Sequence, residues 1–188
     1  MGTTDEIMAA TVCALCAHGY ADLTVQRIAD EASMTTAAIH YHFDTKEGLM
    51  EAFLRDVTER FEARLDCDAP DPRERLATLL DAVFEPPERH TDGLAVALME
   101  LKLRAAHRPG YRERFHDPDA QMRAAVRARV DEGLFHDADP EAVARSVATA
   151  VDGAHARRVA LGEDPGATRA AVERDLDRRL GWAPGAPA

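Results

Sequence analysis

Apolar residues recur every three or four positions along most of the chain, a spacing that predicts helices. Ile7 to Ala17 makes the first, stopped by Gly19. Thr24 caps a short second helix over Val25–Ala32, and Ser33-Met34 breaks it. Thr35 or Thr36 opens a third short helix that runs to about Tyr41. Asp44 or Thr45 caps a long fourth helix, in which Leu49, Phe53, Val57, Phe61 and Leu65 step by four. Pro70 and Pro72 separate it from a helix over Arg73–Phe84, and Glu85-Pro86-Pro87 is a turn. Leu94, Leu98, Leu101 and Leu103 mark the next helix, ending near Pro109-Gly110. Met122, Val126 and Val130 line another, stopped by Gly133. Asp137-Ala138-Asp139-Pro140 opens a helix lined by Val143, Val147 and Val151. Gly162 to Pro165 separates it from a last helix with Val172, Leu176 and Leu180.

Alternation of apolar and polar residues is absent over four or more positions, so no strand is predicted. The expected fold class is all-α, with about nine helices: three short ones forming an N-terminal unit, then a helical bundle. The expected domains are 1–48, 49–182 and a flexible tail over 183–188. The 188 residues are 46% hydrophobic and 30% charged, a globular balance. No apolar run approaches the length that spans a bilayer, and Met1 to Glu6 lacks the basic start of a signal peptide, so a cytoplasmic protein is expected. Cys13, Cys16 and Cys67 are too few for a disulfide framework. Cys13-x-x-Cys16 is half a zinc site inside a helical stretch, so no metal and no cofactor is expected. The pair reads as two helix residues, with a thiol sensor as the alternative.

The chemistry lies between Leu23 and Glu47. Ile28, Ala29 and Ala32 on one helix and Ile39 on the next make a small core, with Met34 plugging the turn. That arrangement is a helix–turn–helix, and it leaves Thr35, Thr36, Ala37, His40 and Tyr41 facing outward. Hydroxyls, methyls and imidazoles of this kind read base edges in the major groove. Thr24, Gln26 and Arg27 sit at the start of the second helix and Lys46 at the start of the fourth, where backbone phosphates are met. Arg27 fits a surface ion pair with Asp30 or Glu31 almost as well. His42 fits packing or capping near the fourth helix, with phosphate contact second. The DNA-binding candidates are therefore Thr24, Gln26, Arg27, Thr35, Thr36, Ala37, His40, Tyr41, His42 and Lys46.

At these residues the chain resembles the TetR family of transcriptional regulators. Leu23, Thr24, Ile28, Ala29, Ala32, His42, Phe43, Thr45, Lys46, Glu47 and Leu49 match the family pattern, and Met34, Thr35 and Ile39 are conservative variants. Gly19-Tyr20 matches the usual ending of the first helix. The match covers about a quarter of the chain. It implies a homodimer on a palindromic operator, with the last two helices forming a four-helix bundle with the partner's copies. Their Ala-rich faces suit such close packing. It also implies a small-molecule effector in the C-terminal domain that swings the fourth helix and releases DNA. Four features depart from the pattern. Ser33 replaces a usual Gly, His40 a usual Tyr, Thr36 a frequent Lys and Ala38 a frequent Thr.

Charge complicates this picture. There are 23 basic and 34 acidic residues, a net charge of −11, and 21 of the basic residues are Arg. Residues 1–48 hold Arg27 and Lys46 against seven carboxylates, a net −5. A DNA reader of that charge is repelled in dilute salt. At 1 M salt the screening length falls to about 3 Å. An acidic, Arg-over-Lys bias throughout the chain resembles proteins of salt-adapted organisms. DNA affinity is then expected to fall weakly with salt, or to rise.

For the C-terminal region the resemblance implies an effector cavity. The candidates are the apolar Phe61, Phe84, Leu103, Met122, Val126 and Val151, with Glu100, His107 and His155 as polar partners. The plainer reading of each is an ordinary core or interface position. The sequence supports a ligand-responsive regulator, a repressor in the first instance. The rival is a protein of the same fold that binds a small molecule or senses thiols, with weak or lost DNA binding. No motif supports an enzyme.

Overall fold

The computed structural model describes residues 2–65, 69, 71–84, 91–131 and 139–180. The predicted turn at 85–87, the stop at Gly133, the tail over 183–188, Pro70 and Cys67 lie outside the described residues. Among the described residues there are nine helices and no strand. They are α1 (Thr3–His18), α2 (Val25–Glu31), α3 (Thr36–His42), α4 (Lys46–Leu65), α5 (Pro72–Phe84), α6 (Thr91–Arg104), α7 (Pro109–Asp131), α8 (Pro140–Leu161) and α9 (Pro165–Leu180).

The chain divides into two compact units, residues 1–59 with 87–116, and residues 60–86 with 117–188. Both crossings over described residues fall inside helices, in α4 and α7. The α7 crossing lies beside Pro118, which has no N–H to give the helix.

The first unit is built on α1, which packs on α2 and α6. Its core joins Ile7, Leu15, Leu23, Ile28, Ala29 and Ile39 to Leu49, Met50 and Phe53 of α4 and Leu94, Ala97 and Leu101 of α6. The core of the N-terminal helices therefore continues past residue 48. α1 and α6 cross closely at Gly93. A Cβ there would lie 2.7 Å from Cys16 Cα and 2.8 Å from its carbonyl oxygen. On α6 the buried row is Leu94, Ala97, Leu101 and Ala105. Leu103 is 70% exposed, against the expectation that it joins the apolar stripe. Two residues of helix turn through about 200°, which carries it to the opposite face from Leu101.

The second unit packs α5 on α8 and α9, and α8 on α9. Phe84, Leu76, Leu80, Met122, Val126, Val143, Val147, Val151 and Leu176 fill its core, with Phe61 partly buried against it. Its helix ends follow local rules. Asp139 accepts the Glu141 N–H at 3.0 Å ahead of Pro140. Gly162 closes α8 in the left-handed conformation (φ 69°), its N–H bonding the Arg158 carbonyl.

Candidate nucleic-acid interface

Two short helices set the geometry. Thr24 Oγ1 accepts the Arg27 N–H at 3.2 Å and starts α2. Thr35 Oγ1 accepts the Ala38 N–H at 3.1 Å and starts α3. Between them the Met34 N–H bonds the Ala29 carbonyl at 2.9 Å, and Ser33 sits at φ +53°. This is the left-handed region, and Ser33 is the one described non-glycine residue in it. A residue with a Cβ pays about 1–2 kcal/mol there. The usual glycine of the pattern answers that requirement.

Ile28, Ala29 and Ile39 are fully buried, so the opposite side of α3 is presented outward. Ala37, His40, Tyr41 and His42 are exposed and Thr36 is half-buried. Tyr41 is 87% exposed, so its ring stands clear of the core on the outward side of α3. His42 stands edge-on to Tyr41, with ring centroids 5.3 Å apart, and packs more loosely on Phe43. Thr45 Oγ1 accepts the Gly48 N–H at 3.0 Å at the start of α4.

The cations and Gln26 are engaged within the protein. Gln26 donates to Asp30 at 2.7 Å. The Arg27 guanidinium donates to the Asp22 carbonyl. The Lys46 ammonium donates to the Leu23 carbonyl at 2.6 Å and the Tyr20 carbonyl at 3.4 Å, and lies 4.6 Å above the Tyr20 ring. Partial burial holds its pKa below the usual lysine value. Lys46 is a clamp between α4 and the turn that follows α1.

Tyr20 is the centre of that clamp. Arg104 covers its ring at 4.5 Å, Glu100 Oε2 accepts its N–H at 2.7 Å, and its hydroxyl lies 3.2 Å from that of Tyr111. Tyr111 is almost completely buried, which raises its pKa well above the usual tyrosine value. Arg108 pairs with Glu47 at 3.4 Å. Sequence reading missed this network because its members lie 80 and 91 residues apart. The Gly19-Tyr20 pair was its one local sign.

The expected effector residues are divided between the two units. Glu100, Leu103 and His107 belong to the first unit, where Glu100 holds the Tyr20 backbone and Leu103 and His107 are exposed. Phe61, Phe84, Met122, Val126, Val151 and His155 belong to the second. There Phe84, Met122, Val126 and Val151 are buried core, while Phe61 and His155 are half-buried. A groove of about 280 Å³ runs between α8 and α9, lined by Val143, Val147, Ala150, Ala171, Val172 and Leu176 among others. Burial raises the pKa of the Cys16 thiol, with Cys13 beside it adding to the shift, so Cys16 is a poor thiolate.

A helix–turn–helix presenting an uncovered recognition helix, followed by further helices, defines a class of DNA-binding regulators. Residues 7–53 match the family model for bacterial regulatory proteins of the tetR family. Residues 72–181 match the model for the C-terminal part of BetI-type transcriptional repressors. The chain belongs to the TetR family of transcriptional regulators, and it is not an enzyme. The HTH-type transcriptional regulator BetI of Paraburkholderia xenovorans is 26% identical over 180 residues, covering 92% of this chain and 89% of the relative. A TetR transcription regulator from Haloarcula marismortui is 41% identical, covers 95% of this chain and 98% of its own, and superposes with a TM-score of 0.89. A transcriptional regulator from Saccharomonospora viridis solved in complex with choline shares the fold, with a TM-score of 0.74 at 20% identity, covering 94% of this chain and 96% of its own. No described helix is long and apolar enough to cross a membrane.

Proposed function

We infer that the protein is a homodimeric, ligand-responsive repressor of transcription that reads a palindromic operator. The observation that carries this reading is the outward row of Thr36, Ala37, His40 and Tyr41 on α3, a helix whose opposite side is locked by Ile39. Residues 1–48 act as the reader and 49–182 as the effector and dimer domain. Thr35 and Thr36 hydroxyls, the Ala37 methyl and the His40 and Tyr41 tips offer donors, acceptors and apolar contact to base edges. Thr24 and His42, beside α3 and at its end, fix its register on the backbone, while Gln26, Arg27 and Lys46 stand on the flanking elements and act through the contacts they make within the protein.

The α8–α9 groove favours a second copy of the chain as its occupant. Its apolar lining and small Ala150 and Ala171 admit a close helix, as the family arrangement requires. Two-fold pairing then places two readers on two half-sites, one helical turn or slightly more apart. A small-molecule effector held by the second unit biases α4 and α7, the described helices that continue into the first unit. Both begin at the Tyr20 clamp, so a shift in either reaches the reader. This is coupling between two binding sites through two packed arrangements. The effector's chemical class stays open. Choline is a suitable first probe because of the Saccharomonospora relative.

Selection of binding sequences from random duplex DNA in 2 M KCl tests the reading. The expected product is a two-fold symmetric site, and Tyr41→Ala with His40→Ala lowers its affinity at least tenfold while circular dichroism is unchanged. Enrichment of no sequence would instead favour the rival reading, a small-molecule binder that has lost DNA. The tethered Arg27 and Lys46 are the observation on that side.

A further inference from the structure

We propose that this protein docks on DNA without net release of cations, so that operator affinity is flat in KCl or rises with it. The proposal rests on the DNA-reading function above and states how that site answers to ionic strength. An ordinary DNA-binding protein gains affinity by replacing condensed cations with its own Lys and Arg, and log affinity falls with log salt in proportion to the phosphates neutralised. The reader here has two such residues, and both are spent. The Lys46 ammonium lies on the Leu23 and Tyr20 carbonyls and the Arg27 guanidinium on the Asp22 carbonyl. Moving either onto a phosphate breaks a contact that holds the turn before α2.

Among residues 1–48 what remains around α3 is neutral or negative, and the two cations of α6 and its C-terminal end that reach Lys46 are held as well, Arg104 on the Tyr20 ring and Arg108 on Glu47. Thr24, Thr35 and Thr45 offer hydroxyls beside helix starts. Asp22 precedes Thr24 by two residues, and Asp44 immediately precedes Thr45; both carboxylates are exposed. Asp30, Glu31 and Glu47 are exposed as well, and Glu47 holds Arg108 at 3.4 Å. Duplex DNA carries one charge per about 1.7 Å of axis. Bringing that row against Asp22 and Asp44 retains the cations already condensed on it and favours additional ones. Above 1 M KCl the screening length of about 3 Å confines repulsion to groups in contact. Base and hydroxyl contacts, which carry no net charge, then decide the affinity.

The test is fluorescence anisotropy on the selected operator from 0.5 to 3 M KCl, over the range in which circular dichroism shows the chain folded. An interface with six ordinary phosphate contacts loses about 10⁴-fold over this sixfold rise. The expected result is a rise, or a loss of less than tenfold. A loss of tenfold or more overturns the proposal and leaves the DNA-reading function standing. The second arm uses Asp22→Asn with Asp44→Asn, which keeps the backbone carbonyl that Arg27 uses. This variant should bind at least threefold tighter than the parent at 0.5 M KCl and equally at 3 M. A variant that matches the parent at both concentrations overturns the proposal. Absence of any enriched sequence between 0.1 and 3 M KCl overturns the DNA-reading function and the proposal together.

Discussion

The two units differ in how their shapes are specified. The first is held by contacts far apart in sequence: Tyr20 to Glu100, Tyr20 to Tyr111, Lys46 to Leu23, and α1 pressed on Gly93. The second joins distant segments through its aliphatic core, through Arg169–Asp81 and through Gln121–Glu62, and adds many short-range pairs. Arg123–Asp119, Arg145–Glu141, Arg169–Glu173 and Arg179–Asp175 are all one-turn pairs. Asp139 and Gly162 close its helix ends locally, and its core relies on Val, Leu and Ala with Phe84 as its one fully buried aromatic among the described residues. A reader must hold α3 in one orientation, and tight nonlocal contacts do that. The aliphatic core of the second unit is of the kind in which volume-conserving swaps cost little.

The largest effect should separate the units directly. Phe53 is fully buried in the first core, and Phe53→Ala is expected to cost about 3–5 kcal/mol. Leu176→Ala, beside the α8–α9 groove where neighbours can close in, should fall near the lower end of about 2–5 kcal/mol. Urea denaturation in fixed KCl measures both. Equal losses would erase the distinction. Next in size is Gly93→Ala. Its methyl meets the Cys16 backbone, which cannot swing aside, so a loss of about 1–3 kcal/mol is expected. Its counterpart in the second unit, Gly153→Ala, meets no atom within 4 Å on an exposed helix face and should gain about 0.5–1 kcal/mol. Tyr20→Phe leaves the buried Tyr111 hydroxyl without its 3.2 Å partner and should cost about 1–3 kcal/mol. If denaturation shows no loss, the clamp does not hold the reader.

The same contrast explains what sequence alone could reach. Helix number, the buried rows of α1 to α4 and the outward row of α3 follow from three- and four-residue spacing and from caps at Thr24 and Thr35, all local signals. The stripe on α6 was misread at Leu103 because four leucines in ten residues suggest one face, whereas Leu94, Ala97, Leu101 and Ala105 make it. Small alanines carry no hydrophobic signal strong enough to correct that. Lys46 was legible as a cation at the start of α4, but its carbonyl partners arise from the turn after α1, which only the fold brings near. The effector candidates lie on or beside apolar rows, and rows do not say whether a buried face meets a neighbour or a cavity. Glu100 shows the difficulty most clearly, since its carboxylate serves Tyr20.

The smallest predicted effect bears on the one position where the reader breaks its own local rule. Ser33 holds φ +53° between α2 and α3, with its N–H bonded to the Asp30 carbonyl at 3.2 Å. A Cβ in that region costs about 1–2 kcal/mol, while glycine gives back about 0.5–1 kcal/mol through the freedom it has in the unfolded chain. Ser33→Gly should therefore stabilise the protein by about 0.5–1 kcal/mol. The gain should appear as slower amide exchange in α2 and α3, with the second unit unchanged. Because the turn fixes the angle between those helices, operator affinity at a given KCl concentration should hold or tighten. Loss of stability would mean that the serine hydroxyl, rather than backbone geometry, governs the turn. The reader would then depend on side-chain chemistry at the junction that the family pattern otherwise assigns to glycine.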